Sequence, residues 1–208
     1  MIRTITFERE YGSGAGDIAR RLSERLGWKL WDSALTHAVA REMDCSSRTV
    51  EEREERKDPL TYRLFRAFMR GSFEGSLNAP RLNVVDADCI RQASQRLVLS
   101  AAEEGNAVIV GRGSAYHLYG RRDALHIFIY ATFDEKVRRL VRAGKREKEA
   151  IELVETVDSD RSEYIKKYFD LEWPARHYFH LMINSTMGEE SVVETILHSK
   201  SILEKRAE

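Results

Sequence analysis

The sequence predicts an α/β protein built on a doubly wound sheet of five parallel strands. Short apolar runs alternate with amphipathic helical patterns, and a glycine-rich stretch separates the first strand from the first helix. The run Ala107–Val110 is apolar throughout, which is typical of a strand buried on both faces of a parallel sheet. The five predicted strands are residues 2–7, 28–32, 107–110, 125–130 and 181–184.

Length and charge narrow the class of protein. A chain of 208 residues suits one domain, or one domain with an inserted lid. Lys plus Arg and Asp plus Glu both number 34, so the formal net charge is zero, which argues against a nucleic-acid-binding protein. Local basic clusters still bind small anions such as nucleotides.

The cysteine and histidine content favours a cytoplasmic protein without a metal centre. Two cysteines, Cys45 and Cys89, and no signal peptide fit a reducing compartment, and no apolar run has the length of a membrane span. His177 and His180 lack a second ligand pair, so we interpret them as ordinary helix histidines.

The glycine-rich stretch is the first candidate site. Gly12, Gly14 and Gly16 stand between a strand and a helix, where backbone N–H groups converge on phosphates. The stretch departs from the G-x-x-x-x-G-K-[ST] pattern, because Arg9 replaces the first glycine and Ala15 replaces the lysine. A phosphate loop without its cation and a plain glycine-rich turn are both open interpretations.

Charged residues follow two of the other strands. Asp32 ends the second strand, where it either faces the crevice at the carboxyl edge of the sheet or caps the next helix. Arg112 lies between two glycines directly after the third strand. A planar guanidinium in that position favours bidentate capture of a phosphate over a surface role.

Two helical segments leave their roles open. Asp158 and Arg161 share one helix face, as a surface ion pair or as a clamp over nucleotide phosphates. An amphipathic helix over residues 61–70 follows a charged segment at 44–60. It either packs on the domain or forms a substrate lid or a homodimer surface.

Taken together, the chain resembles the cytidylate kinase-like family of P-loop nucleoside-monophosphate kinases over nearly its whole length. The motifs that carry the resemblance are residues 9–14, 30–32, 108–115, 158–161 with Tyr164, and 183–188. The resemblance implies a single domain over 1–208 with a helical insertion at 44–88 on the acceptor side and a short lid at 142–160. It also implies ATP as donor, with Mg2+, and small-molecule nucleotides as partners.

The resemblance assigns roles residue by residue. Donor phosphates are assigned to Gly12, Ser13, Gly14, Ala15, Gly16 and Asp17. Asp32 lies near the acceptor nucleotide, Arg112 holds its phosphate, and Asp158 and Arg161 lie near the transferring phosphoryl group. Arg142 and Arg146 belong to the lid, and Asn184 lines the loop near the donor base.

One departure affects the expected activity. A typical cytidylate kinase has lysine at the position of Ala15 and threonine at that of Asp17. Either Arg9, Lys145 or Arg146 supplies the missing charge, or catalysis is weak. Three roles for Asp17 are open: its carboxylate contacts a metal ion, it repels phosphates in the absence of that ion, or it only interacts favourably with the positive end of its helix.

The expected function is therefore transfer of the ATP γ-phosphoryl group to a nucleoside monophosphate, CMP or dCMP, with Mg2+. The alternatives are a nucleotide-binding regulatory protein that has lost transfer and a kinase for another small acceptor.

Overall fold

The computed structural model of the protein describes residues 1–32 and 87–205, with backbone only for 87–90. Its core is one sheet of five parallel strands in the order β2-β3-β1-β4-β5, which confirms the predicted fold class. The strands are β1 (Thr4–Arg9), β2 (Lys29–Trp31), β3 (Ala107–Val110), β4 (Ala124–Tyr130) and β5 (Leu181–Asn184). All five match predicted strands, with shifts of one to two residues at some ends.

Helices connect these strands. They are α1 (Ala15–Leu26), α2 (Ala87–Glu104), α3 (Ser114–His117), α4 (Phe133–Arg142), α5 (Glu147–Phe169) and α6 (Glu189–Lys205), with 3-10 turns at Arg176–Tyr178 and Ser185–Met187. The short helix α3 was not predicted, because four residues are too few to show a helical period. The segment expected to form a lid, 142–160, comprises the last residue of α4, a turn at 143–146 and more than half of α5. None of the described helices combines the length and apolarity that crossing a membrane requires.

Several predictions for the acceptor side lie outside the described residues. They are the helix expected after Asp32, the charged segment 44–60, the helix 61–70 with its lid or homodimer role, and the loop before α2.

Apolar side chains cover both faces of the sheet. Ile5 and Phe7 of β1 pack in one cluster with residues of α1 and α6, such as Leu22 and Val193. Neighbouring residues of a strand point to opposite faces, and Ile109 accordingly joins a second cluster with residues of α2. Because β1 lies between β3 and β4, all six of its residues are buried.

The register places the end of β1 beside the end of β3. Phe7 pairs with Val110, and the N–H of Gly111 donates to the carbonyl of Phe7 at 2.7 Å. Glu8 and Arg9 therefore lie next to the segment that begins at Gly111. In open α/β sheets this carboxyl edge is where ligands bind.

A buried histidine on β4 makes stability depend on pH. His126 is 2% exposed, its Nδ1 lies 2.8 Å from the Thr6 hydroxyl, and its backbone N–H donates to His180 Nδ1 at 2.9 Å. Burial, together with the nearby His180 ring, lowers the pKa of His126 to about 4. The unfolded chain, in which the pKa is about 6.5, therefore binds a proton first as the pH falls. The contribution of neutral His126 to the free energy of unfolding is therefore fully present above about pH 6.5. It is lost as the pH falls from about 6.5 to about 4.

We expect His126→Gln to remove this dependence. From pH 7 to pH 5, the free energy of unfolding of the wild type should fall by about 2 kcal/mol more than that of the variant. Urea unfolding at both pH values measures the difference, and other titrating groups are common to both proteins. Parallel pH profiles for the two proteins would contradict this interpretation.

Candidate functional site

The loop between β1 and α1 is shaped by two glycines with left-handed backbone, Gly12 at φ 80° and Gly14 at φ 74°. A Cβ on Gly12 would lie 3.0 Å from the Cβ of Lys136 and 3.1 Å from its carbonyl oxygen. A Cβ on Gly14 would lie 2.9 Å from the guanidinium of Arg139. Both positions therefore require glycine for conformation and for the close approach of α4. Gly16 lies within the first turn of α1.

Helix α1 begins directly after Gly14. The N–H groups of its first turn, which includes Ala15, Gly16 and Asp17, have no preceding turn of helix to donate to and carry the positive end of the helix dipole. Ala15 is buried in the core. Asp17 is half exposed and its carboxylate lies 3.6 Å from the Arg20 guanidinium. The loop thus offers amides to an anion but no ammonium group of its own.

Arg139 of α4 ties the loop to the end of β5. Its guanidinium donates to the Ser13 carbonyl, to the Ser185 hydroxyl at 2.8 Å and to the Ser185 carbonyl at 3.0 Å. Its Nε donates to Glu135 at 3.0 Å, and the Ser185 hydroxyl donates to the Ser13 carbonyl at 2.6 Å. Arg139 was not predicted as a site residue, and the only signal for it in the sequence is its place in a basic segment at 136–142.

Asp158 of α5 holds the start of the same loop. Its Oδ1 accepts from the Tyr11 N–H at 2.7 Å and from Arg161 at 3.3 Å, and its Oδ2 accepts from Lys136 at 3.2 Å. Lys136 also forms an ion pair with Glu10 at 3.0 Å. Arg161 donates to the Arg9 carbonyl at 2.9 Å. The Asp158–Arg161 pair is thus a buried contact to the loop and not a pair on the helix surface.

Three buried arginines surround a buried carboxylate at the carboxyl edge of the sheet. Arg9, Arg112 and Arg161 are each less than a tenth exposed, as is Glu8. Burial, followed by the charge of Arg9, lowers the pKa of both Arg112 and Arg161 to about 10. Burial raises the pKa of Glu8, while Arg9 and Arg161 oppose that shift. Such a concentration of buried guanidinium groups at the carboxyl edge of a sheet is typical of an anion-binding site.

Arg112 owes its position to an unusual backbone. It has φ 63°, between Gly111 at φ 71° and Gly113 at φ 64°. The Arg9 guanidinium packs directly against Gly111, so that a Cβ there would overlap it. Asp32 is 4% exposed at the end of β2, and its charge acts on Arg112 to raise the pKa. Asp32 and Arg112, which follow the neighbouring strands β2 and β3, therefore lie close enough for their charges to interact.

The remaining predicted residues lie outside this buried cluster. Arg142 and Arg146 are exposed at the two ends of the turn between α4 and α5, and Lys145 pairs with Glu149 at 3.3 Å. Asn184 uses its side-chain oxygen to accept from the N–H of Thr186 at 3.0 Å, which caps the following turn. Within residues 1–32 and 91–205, no group of three or more metal-ligating side chains is placed to hold a metal ion.

We expect Gly12→Ala to destabilise the protein more than Gly120→Ala. Gly120 has a similar φ of 84° but nothing within 4 Å of its Cβ position, so it is a matched control for backbone strain. The added methyl at Gly12 meets backbone atoms of α4, and we expect an extra loss of about 1–3 kcal/mol. Urea unfolding of both variants measures it, and equal losses would show that α4 does not pack tightly on the loop.

Most of the chain matches one known protein family. The family model described as "Cytidylate kinase-like family" matches residues 4–187. No curated protein matches the chain in sequence.

Several solved structures share the fold. A protein from Eubacterium ventriosum ATCC 27560, described as uncharacterized, has a TM-score of 0.66 at 20% identity, covering 96% of this chain and 98% of its own. Shikimate kinase from Acinetobacter baumannii, solved with shikimate, has a TM-score of 0.54 at 16% identity, and the match covers 100% of this chain and 97% of that protein. Shikimate kinase from Bacteroides thetaiotaomicron has a TM-score of 0.54 at 14% identity, and the match covers 97% of this chain and 99% of that protein. At these identities the likeness establishes the fold alone.

Proposed function

Because the chain belongs to the cytidylate kinase-like family, we propose that it transfers the γ-phosphoryl group of ATP to a nucleoside monophosphate, with CMP or dCMP as acceptor. The observation that carries this proposal is the group of three buried guanidiniums, Arg9, Arg112 and Arg161, beside the glycine loop. One anion-binding element alone would suit many ligands. Two of them at one edge of a sheet suit a reaction between two phosphate-bearing molecules.

The donor fits the loop. Gly12 and Gly14 shape the turn that leads into the first-turn amides of α1, where the phosphates of ATP are expected to lie. Mg2+ usually binds through one or two carboxylates together with substrate phosphates, so a carboxylate cage in the protein is not required. When bound, Mg2+ would neutralise charge on the donor phosphates. Asn184, at the end of β5, is assigned to the rim near the donor base.

The acceptor is assigned to the crevice of Asp32 and Arg112. The guanidinium of Arg112 offers two parallel donors to the acceptor phosphate, and burial strengthens such a contact. Asp32 is placed near the acceptor nucleotide. The segment 44–88 is proposed to set acceptor specificity, and Arg142 and Arg146 to close over the phosphates as part of a lid at 142–160.

Transfer of the phosphoryl group then requires mainly that the two substrates are positioned and that cations stabilise the charge on the transferring group. An oxygen of the acceptor phosphate forms a bond to the γ-phosphorus, while the bond from that phosphorus to the β,γ-bridging oxygen breaks and ADP leaves. Arg161, oriented by Asp158, is assigned to the charge on the transferring group. These cations are held in place before the reaction by buried contacts, so little reorganisation is needed during transfer.

A second function is favoured by one specific observation. Ala15 provides no cation at the position where phosphate loops carry lysine, which would suit a protein that binds nucleotides without transferring phosphate. A kinase for another small acceptor is the third candidate, since one fold serves many substrates.

A screen with ATP, Mg2+ and a panel of nucleoside monophosphates separates these functions. We expect diphosphate product with CMP or dCMP, detected by chromatography. Nucleotide binding in calorimetry without product from any acceptor would favour the regulatory protein. Product only from a small acceptor outside the panel would favour the third candidate.

We expect Arg112→Ala to lower kcat/KM for the acceptor by about 10²- to 10³-fold, because a buried charged contact to the reacting phosphate is lost. The matched control is Arg21→Ala, which removes a half-exposed arginine that pairs with Glu189 away from the crevice. Steady-state kinetics measure both variants, after thermal melting confirms that both are folded. Equal rates for Arg112→Ala and the control would contradict the assigned role.

A further inference from the structure

A lysine on α4 lies against the glycine loop, although the loop itself has none. The side chain of Lys136 is 10% exposed. Its Cα, Cβ and carbonyl oxygen all lie within 3.2 Å of the position that a Cβ on Gly12 would take. A buried lysine is uncommon unless its charge is used or compensated.

The Lys136 ammonium group is aimed at the first half of the loop. It lies 3.0 Å from Glu10 Oε2 and 3.2 Å from Asp158 Oδ2, and Asp158 in turn accepts from the N–H of Tyr11. An ammonium has three donors. Glu10 and Asp158 account for two of them in the described part of the chain, which leaves one donor for a phosphate oxygen.

The other cations considered for this role are paired with other groups, exposed, or packed on the acceptor side. Arg139 is held by Ser13, Ser185 and Glu135 at the far end of the loop. Lys145 pairs with Glu149 and Arg146 is exposed, while Arg9 packs against Gly111 on the acceptor side. The charge that we expected from Arg9, Lys145 or Arg146 is thus better placed on Lys136.

We propose that Lys136 supplies, from α4, the ammonium group missing at Ala15, and that it contacts the γ-phosphoryl group of the donor. In phosphate loops the backbone amides cradle the inner phosphates and the lysine reaches the outer ones. Here the first-turn amides of α1 stand at one end of the loop, and Lys136 stands at the other, beside Arg161. This assignment rests on the proposed function, because it takes ATP as the donor.

The test is ATP and ADP binding to Lys136→Met, measured by calorimetry with Mg2+ and without an acceptor. Losing a charged hydrogen bond to the outer phosphate should weaken ATP binding by about tenfold or more, and ADP binding by less than about twofold. The control is Lys200→Met, which removes a largely buried lysine paired with Glu204 on α6. It should bind both nucleotides as the wild type does.

A further variant separates a charge role from a purely structural one. Lys136→Arg keeps a cation and should keep the preference for ATP over ADP. A residue that only braces the loop would weaken ATP and ADP binding equally when replaced, and an equal loss would overturn the proposal.

Binding and transfer can fail separately. If the wild type binds ATP through Lys136 but yields no product with any acceptor, the proposed function fails and the lysine assignment stands. If product forms and Lys136→Met binds ATP as tightly as the wild type does, the lysine assignment fails and the proposed function stands. Thermal melting identifies an unfolded variant, in which case Lys136→Arg decides by the ATP-to-ADP preference.

Discussion

The carboxylate of Asp158 is the contact on which the candidate site depends. It accepts hydrogen bonds from the loop backbone at Tyr11, from Arg161 on its own helix and from Lys136 on α4. Two cations are buried beside it, and without a compensating anion their desolvation would be costly. One side chain therefore fixes the loop, α4 and α5 relative to one another. Removing it would leave Arg161 and Lys136 without an anion that both share.

The charges of the site divide into two groups on either side of β1. Lys136, Glu10 and Asp158 lie by the loop, while Arg112 and Asp32 lie by the ends of β3 and β2. Arg161 links the two groups. It donates to Asp158 beside the loop and to the Arg9 carbonyl at the end of β1, and the charge of Glu8 acts on its pKa. A loop pattern that lacks lysine says little about whether the site lacks the charge, since neighbouring helices also provide cations.

Much of the fold was predictable, because strands and helices leave patterns of apolar and polar residues that are local in the sequence. All five strands follow from short apolar runs that alternate with helical patterns. That Arg112 and Asp32 lie near each other was predictable, because the carboxyl ends of parallel strands meet at one edge of the sheet. Lys136 and Arg139 were not, since their contacts to the loop span more than a hundred residues, and periodicity shows which helix face is polar without showing what it meets. The predictions for 33–86 lie outside the described residues.

The backbone at Arg112 has a consequence for how this protein tolerates change. A residue with a side chain in the left-handed region is held there at a cost of about 1–2 kcal/mol, which glycine would avoid. Glycine at this position would relieve the strain, but it would also remove the guanidinium whose charge interacts with Asp32. A substitution that stabilises the backbone here would thus take away one of the three buried cations at this edge of the sheet.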